Sequence, residues 1–138
     1  MERFETGTPI ALVLEIGGGE VSVEATERSD ATVEVLPRDP GRRVDVAAAR
    51  ETTVGFANDT LTVESKWRAL TGWTAKGAVV VRVAVPTDSS LRAHLGAVTL
   101  RGTGRLGACQ LRSGAGGFEL DETGVVEARI GAGNIRID

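Results

Sequence analysis

Alternation of apolar and polar residues marks the first predicted elements of the chain. Between residues 10 and 16 every second residue is isoleucine or leucine, a two-residue period that predicts a β-strand. Gly17–Gly19 is predicted to break this strand. Valine and alanine then alternate with polar residues over 20–25, which predicts a second strand with one face in water. A third strand is predicted over Thr32–Leu36 and ends at Pro37, since proline lacks the N–H that a central strand needs.

The middle of the chain contains one predicted helix and one predicted hairpin. Val44–Arg50 is rich in alanine, the strongest helix former, and Asp45 is the expected N-cap. Strands are predicted over Thr53–Phe56 and Leu61–Glu64. They flank Asn58-Asp59, which is typical of a tight turn.

The last part of the chain repeats itself. Leu91–Leu100 aligns with Leu111–Leu120, and a third copy covers Arg129–Asp138. The offsets are about 20 and about 17 residues, a range in which repeats indicate a solenoid or another stacked β array. Small residues open each copy and alternating apolar residues follow, which predicts a strand entered through glycines. Ile16–Val23 matches Ile130–Ile137, so the unit also occurs once near the N-terminus.

These patterns predict an all-β fold, in which short strands joined by glycine-rich turns form a stack, with one short helix near residues 44–50. Apolar residues of the repeats are expected to form columns in the core: Val98, Leu100, Phe118, Leu120, Ile135 and Ile137. The repeat glycines are expected to be structural, because they let the backbone turn where a Cβ atom does not fit. They are Gly17, Gly19, Gly96, Gly114, Gly116, Gly131 and Gly133. Of these, Gly96, Gly116 and Gly133 are predicted to share one position of the repeat.

The order of several motifs resembles that of a known family. The motifs are Phe4–Ile10, Ile16–Val21, Asp45–Ala49, Val83–Pro86, Gly104–Gly107 and the Gly-Ala-Gly repeats. Together they resemble the bacterial toastrack-type "putative adhesin" family of β-strand repeat proteins, a domain of unknown function of the actinobacterial type. The resemblance implies a β-solenoid, a right-handed β-helix-like stack, and it brings no catalytic residues. We expect a single domain over residues 1–138 that is either truncated at its C-terminus or naturally short, since the chain stops inside a repeat.

Composition narrows the classes of function. The net charge is −3 over 138 residues, with both signs interspersed, which argues against nucleic acid as a partner. No signal peptide follows Met1 and no apolar run could span a bilayer, so a cytoplasmic protein without membrane insertion is predicted. The chain has a single histidine, His94, and a single cysteine, Cys109. Two such residues are too few for a metal site, and this one pair in adjacent repeats is weak support for a nucleophile pair. We therefore expect no cofactor, no metal and no enzymatic activity.

Two motifs could form a binding or catalytic site, and each also has an ordinary structural explanation. Gly102–Gly107 spells G-x-G-x-x-G, but the residues after it alternate like a strand, whereas a dinucleotide site needs a helix there. Carboxylates gather at the ends of the repeats at Glu119, Asp121, Glu122 and Asp138. Such acids could serve acid–base catalysis or bind a cation, and the alternative is a solvated strand end.

Two segments are predicted to bind other proteins. Residues 66–76 hold Trp67, Arg68 and Trp73, residue types that dominate interface hot spots; folding of the rings over the end of the stack is the alternative. The last strand presents an open end, with nothing in the sequence after it to cap the stack. Its residues are Asn134, Ile135, Arg136, Ile137 and Asp138.

Three functions remain open from the sequence. The favoured one is a non-enzymatic scaffold for protein interaction that self-associates as a homo-oligomer, or binds another protein, through the open C-terminal strand. A second is a carbohydrate-binding or carbohydrate-active module that uses the acidic strand ends. A third is a regulatory or sensor domain with a ligand under the tryptophan segment.

Overall fold

The computed structural model describes residues 2–65 and 77–137, which form nine strands and one helix. The predictions of an all-β fold with one short helix are confirmed. The elements are β1 (Glu2–Glu5), β2 (Ala11–Thr26), β3 (Asp30–Pro37), α1 (Arg43–Glu51), β4 (Thr52–Ala57), β5 (Thr60–Ser65), β6 (Val79–Pro86), β7 (Ser90–Arg105), β8 (Cys109–Glu122) and β9 (Val126–Ile137).

All nine strands belong to one open sheet. Its main path is β1-β3-β6-β2-β7-β8-β9, and the β4–β5 hairpin joins it at β2. The turn of that hairpin places Asn58 and Asp59 at φ of 52° and 56°, the left-handed conformation of a type I′ hairpin turn. β2 is shared by two neighbours on one side, since residues 11–15 pair with β5 and residues 19–26 pair with β6.

Four long strands, β2, β7, β8 and β9, run parallel to one another, and each bends at its glycines. The pairing of β2 with β7 continues from Ile16 opposite Leu95 to Gly18 opposite Ala97. The prediction that Gly17–Gly19 breaks the strand is therefore wrong. Backbone hydrogen bonds to the neighbouring strands hold the chain extended on both sides of the glycines, so the glycines bend a strand without ending it.

We call the part of each parallel strand before the bend the first arm and the part after it the second arm. At the bend of β7, two exposed residues separate the inward side chains of Leu95 and Val98. In β2, β8 and β9 the second arm begins at a glycine with positive φ: +125° at Gly19, +128° at Gly116 and +142° at Gly133.

The register of the repeats differs from the predicted alignment by two residues. Leu91 lies opposite Cys109 and Leu100 opposite Phe118, so this offset is 18 residues, not about 20. The next offset is 17, with Cys109 opposite Val126. A shift of two keeps the same residues pointing inward, and the alternating pattern alone does not reveal it.

The corrected register changes which glycines are neighbours. Gly96 lies beside Gly114 and not beside Gly116, since its flanking residues Leu95 and Ala97 pair with Ser113 and Ala115. The partner of Gly116 on β9 is Gly133. On β7 the carbonyl oxygen of Val98 contacts the place where a Cβ atom of Gly116 would lie.

The core lies between the two arms. One column on the second arm joins Val21, Leu100, Phe118 and Ile135, and another ends in Leu120 and Ile137. Val98, Leu100, Phe118 and Leu120 are buried, as predicted, and so is Val21 on β2. Ile135 and Ile137 occupy their predicted columns but are 42% and 43% exposed, because β9 is the outermost of the parallel strands in the described residues.

The opposite end of the stack is partly covered. Phe4 and Phe56 pack with ring centroids 5.4 Å apart, and α1 packs against β3, β4, β5 and β6. Ala48 and Ala49 of the helix lie against the core. The helix and the aromatic side chains therefore cover part of this end, at which β1 and β4 are the edge strands.

Asp45 is not the N-cap that the sequence predicted. The helix begins after Arg42, and Asp45 lies within its first turn with 1% of its surface exposed. Its two carboxylate oxygens accept hydrogen bonds from the backbone N–H groups of Asp39, at 3.1 Å, and Ala78, at 2.8 Å. Asp45 thus ties the helix to the turn before it and to the approach to β6.

Candidate functional site: the exposed end of the strand stack

β9 forms the exposed end of the stack. In the described ranges it pairs with β8 alone, so its other edge carries backbone groups without a strand partner. Ile135 and Ile137 are 42% and 43% exposed, whereas Phe118 and Leu120, their neighbours on β8, are 2% exposed. The end of the stack is therefore an apolar surface bordered by an unpaired strand edge.

Nothing in the sequence of β9 discourages further pairing. Natural proteins protect edge strands with proline, with lysine or with inward-pointing charges. Val126–Ile137 contains neither proline nor lysine, and its inward positions are apolar or glycine. Its charged residues, Glu127, Arg129 and Arg136, alternate with those inward positions and are exposed.

The structure brings together some of the predicted interaction residues. Asn134, Ile135, Arg136 and Ile137 lie on the second arm of β9. The remaining predicted residues, Asp138, Trp67, Arg68 and Trp73, lie outside the described residues.

A second feature, a row of basic residues on the outer face of the first arm, escaped the sequence analysis. His94 lies opposite Arg112, and Arg112 lies opposite Arg129, on three successive strands. We call these three residues the basic row. The spacing in sequence is 18 and then 17 residues, so an alignment at offset 20 hides the row. The signal that reveals it is the match of Gly96 to Gly114.

Among the described acidic residues at the strand ends, Glu119 and Asp121 bind neighbouring groups of the protein, and Asp138 lies outside the described residues. The Glu119 carboxylate accepts a hydrogen bond from Arg101 Nε at 3.3 Å, and Asp121 accepts one from the backbone N–H of Gly104 at 3.2 Å. Over the described part of the chain, no group of three or more histidine, cysteine, aspartate or glutamate side chains is placed to hold a metal ion.

The G-x-G-x-x-G motif lies between two strands. Gly102 and Gly104 belong to β7, and β8 begins at Cys109, two residues after Gly107. No helix N-terminus therefore follows the glycines to receive a pyrophosphate, as a dinucleotide site requires.

His94 and Cys109 do not form a nucleophile pair. Cys109 is buried, and its thiol lies 3.5 Å from the carbonyl oxygen of Gly107. Burial raises the pKa of this thiol to about 11, so it stays protonated and unreactive at neutral pH. His94 is exposed on the outer face of the first arm, while Cys109 faces the core.

No helix in the structurally described ranges has the length and apolar character needed to cross a membrane.

Comparison with known proteins identifies the fold. No family model matches the chain, and no curated protein matches it. Among solved structures, a putative cell adhesion protein from Clostridium sporogenes is similar over 99% of this chain and 98% of its own, with 9% identity and a TM-score of 0.53. A putative adhesin from Bacteroides fragilis is matched over 99% of this chain and 95% of its own, with 10% identity and a TM-score of 0.29. The first match shows that this chain and the Clostridium protein share a fold.

Proposed function

We propose that this protein is a non-enzymatic, adhesin-like scaffold that assembles through the β9 end of its strand stack. The observation that carries the proposal is the exposure of Ile135 and Ile137, whose columns are buried on every other parallel strand. The adhesin names of the structural neighbours support the same class of function. A binding surface of this kind needs backbone hydrogen bonds and apolar burial, and it needs no catalytic groups.

A β-solenoid of the right-handed β-helix type is the architecture we propose for the parallel strands. Successive strands are offset by 18 and 17 residues, and only residues 106–108 connect β7 to β8. Such short connections between parallel strands are typical of a coil in which each strand forms one turn and the next turn lies beside it. In a coil of this type an exposed terminal strand is the natural place for further stacking.

The difference between the two ends favours a closed dimer over a filament. A filament needs the β9 end of one copy to fit the opposite end of the next copy. That opposite end is partly covered by α1 and by the Phe4–Phe56 pair. Two β9 ends meeting face to face bury both exposed surfaces and leave the helix-covered ends outside.

The bent shape of β9 determines how two copies would pair. Consider a two-fold axis that passes through the bend and bisects the angle between the arms. It places the first arm of one copy over the second arm of the other, and the two arms run antiparallel. If the axis passes between Gly131 and Ala132, Ala128 lies opposite Ile135 of the second copy. Val126 then lies opposite Ile137 in the same way, so inward apolar positions meet inward apolar positions.

The same register places opposite charges together. On the outer face, Glu127 of one copy lies opposite Arg136 of the other, and symmetry forms this pair twice. Directly opposed charges of opposite sign stabilise antiparallel strands by about 0.2–1 kcal/mol per pair. Charge complementarity and apolar matching therefore favour one and the same register.

Light scattering over a concentration series tests the proposal. The intact protein should change from monomer to dimer as concentration rises, and Ile135→Lys should remain a monomer because it buries a charge in the interface. Leu36→Lys is the matched control, since Leu36 on β3 is 39% exposed and lies away from β9. A monomeric intact protein at high micromolar concentration, or an equal loss of dimer in both variants, would refute the proposal.

A further inference from the structure

The basic row forms a cationic strip across three strands. His94, Arg112 and Arg129 lie next to one another in the register of β7, β8 and β9, and all three are exposed. Arg92, two residues before His94 on the same face of β7, widens the strip. Neighbouring strands are about 4.8 Å apart, so the strip presents one cation at each strand spacing.

The arginines of this strip have no ion-pair partner among residues 2–65 and 77–137. Arg92, Arg112 and Arg129 form no salt bridge there. The outer face of the second arms differs. Arg82, on β6 beside the second arm of β2, pairs with Glu34 at 3.1 Å, and Arg101 on β7 pairs with Glu119 at 3.3 Å. The fold thus neutralises cations on one outer face and leaves them available on the other.

The strip lies in an open groove. A cavity of about 600 Å³ includes Arg92, His94, Arg112 and Arg129 in its lining. A second cavity, of about 420 Å³, is lined by the same His94, Arg112 and Arg129 together with Gly114 and Gly131 of the bend. The three residues of the basic row therefore line both cavities, and together these form one groove along the bend.

The groove is also lined by carboxylate and amide side chains, which lie among the cationic residues. Glu15, Gln110 and Glu127 also line the larger cavity. Their oxygens suit the hydroxyl groups of a sugar, which donate hydrogen bonds. The described lining offers no phenylalanine, tyrosine or tryptophan on which the bases of a nucleic acid could stack.

We propose that the groove along the basic row binds an acidic polysaccharide, with its carboxylate or sulfate groups on the arginines and its hydroxyl groups on the neighbouring polar side chains. The strand spacing is comparable to the length of one sugar unit in an extended chain, so successive strands can meet successive sugars. Such a chain crosses the strands and follows the groove. This ligand needs no aromatic platform, since charge provides the attraction.

Affinity measurements with defined polymers test the inference. The probes are heparin, which is sulfated, polygalacturonate, which carries carboxylates, and dextran, which is neutral. The intact protein should bind heparin, polygalacturonate or both, but not dextran. Added salt should weaken the binding, since exposed charges are screened. Arg92→Gln combined with Arg112→Gln should weaken it roughly tenfold or more, because two charge-assisted contacts are lost.

The controls separate this inference from the proposed assembly. Arg82→Gln combined with Arg101→Gln removes the same charge from the outer face of β6 and the second arm of β7, and should leave the affinity unchanged. Arg92 and Arg112 lie on β7 and β8, so their substitution should not alter dimer formation through β9. Binding of heparin alone or polygalacturonate alone identifies the anionic group. Failure to bind either polymer, equal weakening in both double variants, or tighter binding of a single-stranded oligothymidylate would overturn the inference.

Discussion

At the residue scale, side chains alternate between the two faces of a strand, and this alternation decides which of them are buried. Leu100, Phe118 and Leu120 follow the predicted inward pattern and are at most 2% exposed. Thr99 and Glu119 alternate with them and are exposed. This part of the structure could be predicted from the sequence, because in a strand with one face in water a two-residue period places every second side chain in the core.

Truncation of a buried column residue should be costly. Phe118→Ala should lower the free energy of unfolding by about 3–5 kcal/mol, because it removes a buried ring and leaves a cavity between Leu100 and the end of the stack. Urea denaturation monitored by circular dichroism measures the change. Thr99→Ala, on an exposed position, should stay within about 0.5 kcal/mol of the intact protein. A similar small effect for Phe118→Ala would contradict the assigned core.

The bend glycine Gly116 should not tolerate a side chain. Its φ is +128°, and a Cβ atom there would collide with the carbonyl oxygen of Val98. Gly116→Val should therefore lower the melting temperature sharply or give insoluble protein, since a β-branched residue is strained at positive φ. Gly117→Val is the control, because a Cβ atom at Gly117 lies an ordinary 3.5 Å from the oxygen of Asn134. Equal melting temperatures for the two variants would argue against the assigned bend.

At the element scale, tertiary pairing overrode two local signals. Gly17–Gly19 looks like a strand break, yet β2 continues through it because β7 pairs with β2 on both sides of Gly17. Asp45 looks like a helix cap, yet its carboxylate reaches Ala78, which is 33 residues away in sequence. Both outcomes depend on contacts between distant segments, and local propensity does not contain that information.

The register explains why the sequence analysis missed the basic row. A shift of two residues leaves every inward residue inward, so the alternating pattern fits offsets of 18 and 20 equally well. The observed register places Gly96 beside Gly114. A Cβ atom at Gly96 would collide with the carbonyl oxygen of Gly17 on β2, whereas one at Gly114 would make an ordinary contact with Gly96. The outward residues His94 and Arg112 become neighbours only at the offset of 18.

Replacement of Asp45 tests whether its hydrogen bonds hold α1 to the preceding turn and to the residue before β6. An asparagine at this position keeps one oxygen acceptor but turns an NH₂ group towards a backbone N–H. Asp45→Asn should therefore cost about 1–3 kcal/mol, the price of an unsatisfied buried donor. Faster hydrogen exchange at the Ala78 amide should accompany the loss. Asp39→Asn, whose side chain makes an exposed bond to the Gly41 amide, should change neither quantity appreciably. Normal protection at Ala78 in Asp45→Asn would refute the role.

At the scale of the whole molecule, the two ends of the stack have different character. The segment between β2 and β7 supplies α1 and the β4–β5 hairpin, which cover part of one end. β9 leaves the other end apolar and exposed, with Ile135 and Ile137 more than two-fifths accessible. In the dimer that we propose, the exposed surface of β9 pairs with a second copy, and the charges of Glu127 and Arg136 favour one antiparallel register.

Sedimentation equilibrium on a charge-exchange pair tests this account most directly. Arg136→Glu should raise the dissociation constant of the dimer roughly tenfold, since it places like charges opposite each other at two symmetric positions. The double variant Glu127→Arg/Arg136→Glu should restore dimerisation to near the level of the intact protein, because the opposite charges face each other again. An intact protein that stays monomeric at high micromolar concentration, or a double variant that associates no better than Arg136→Glu, would contradict the account.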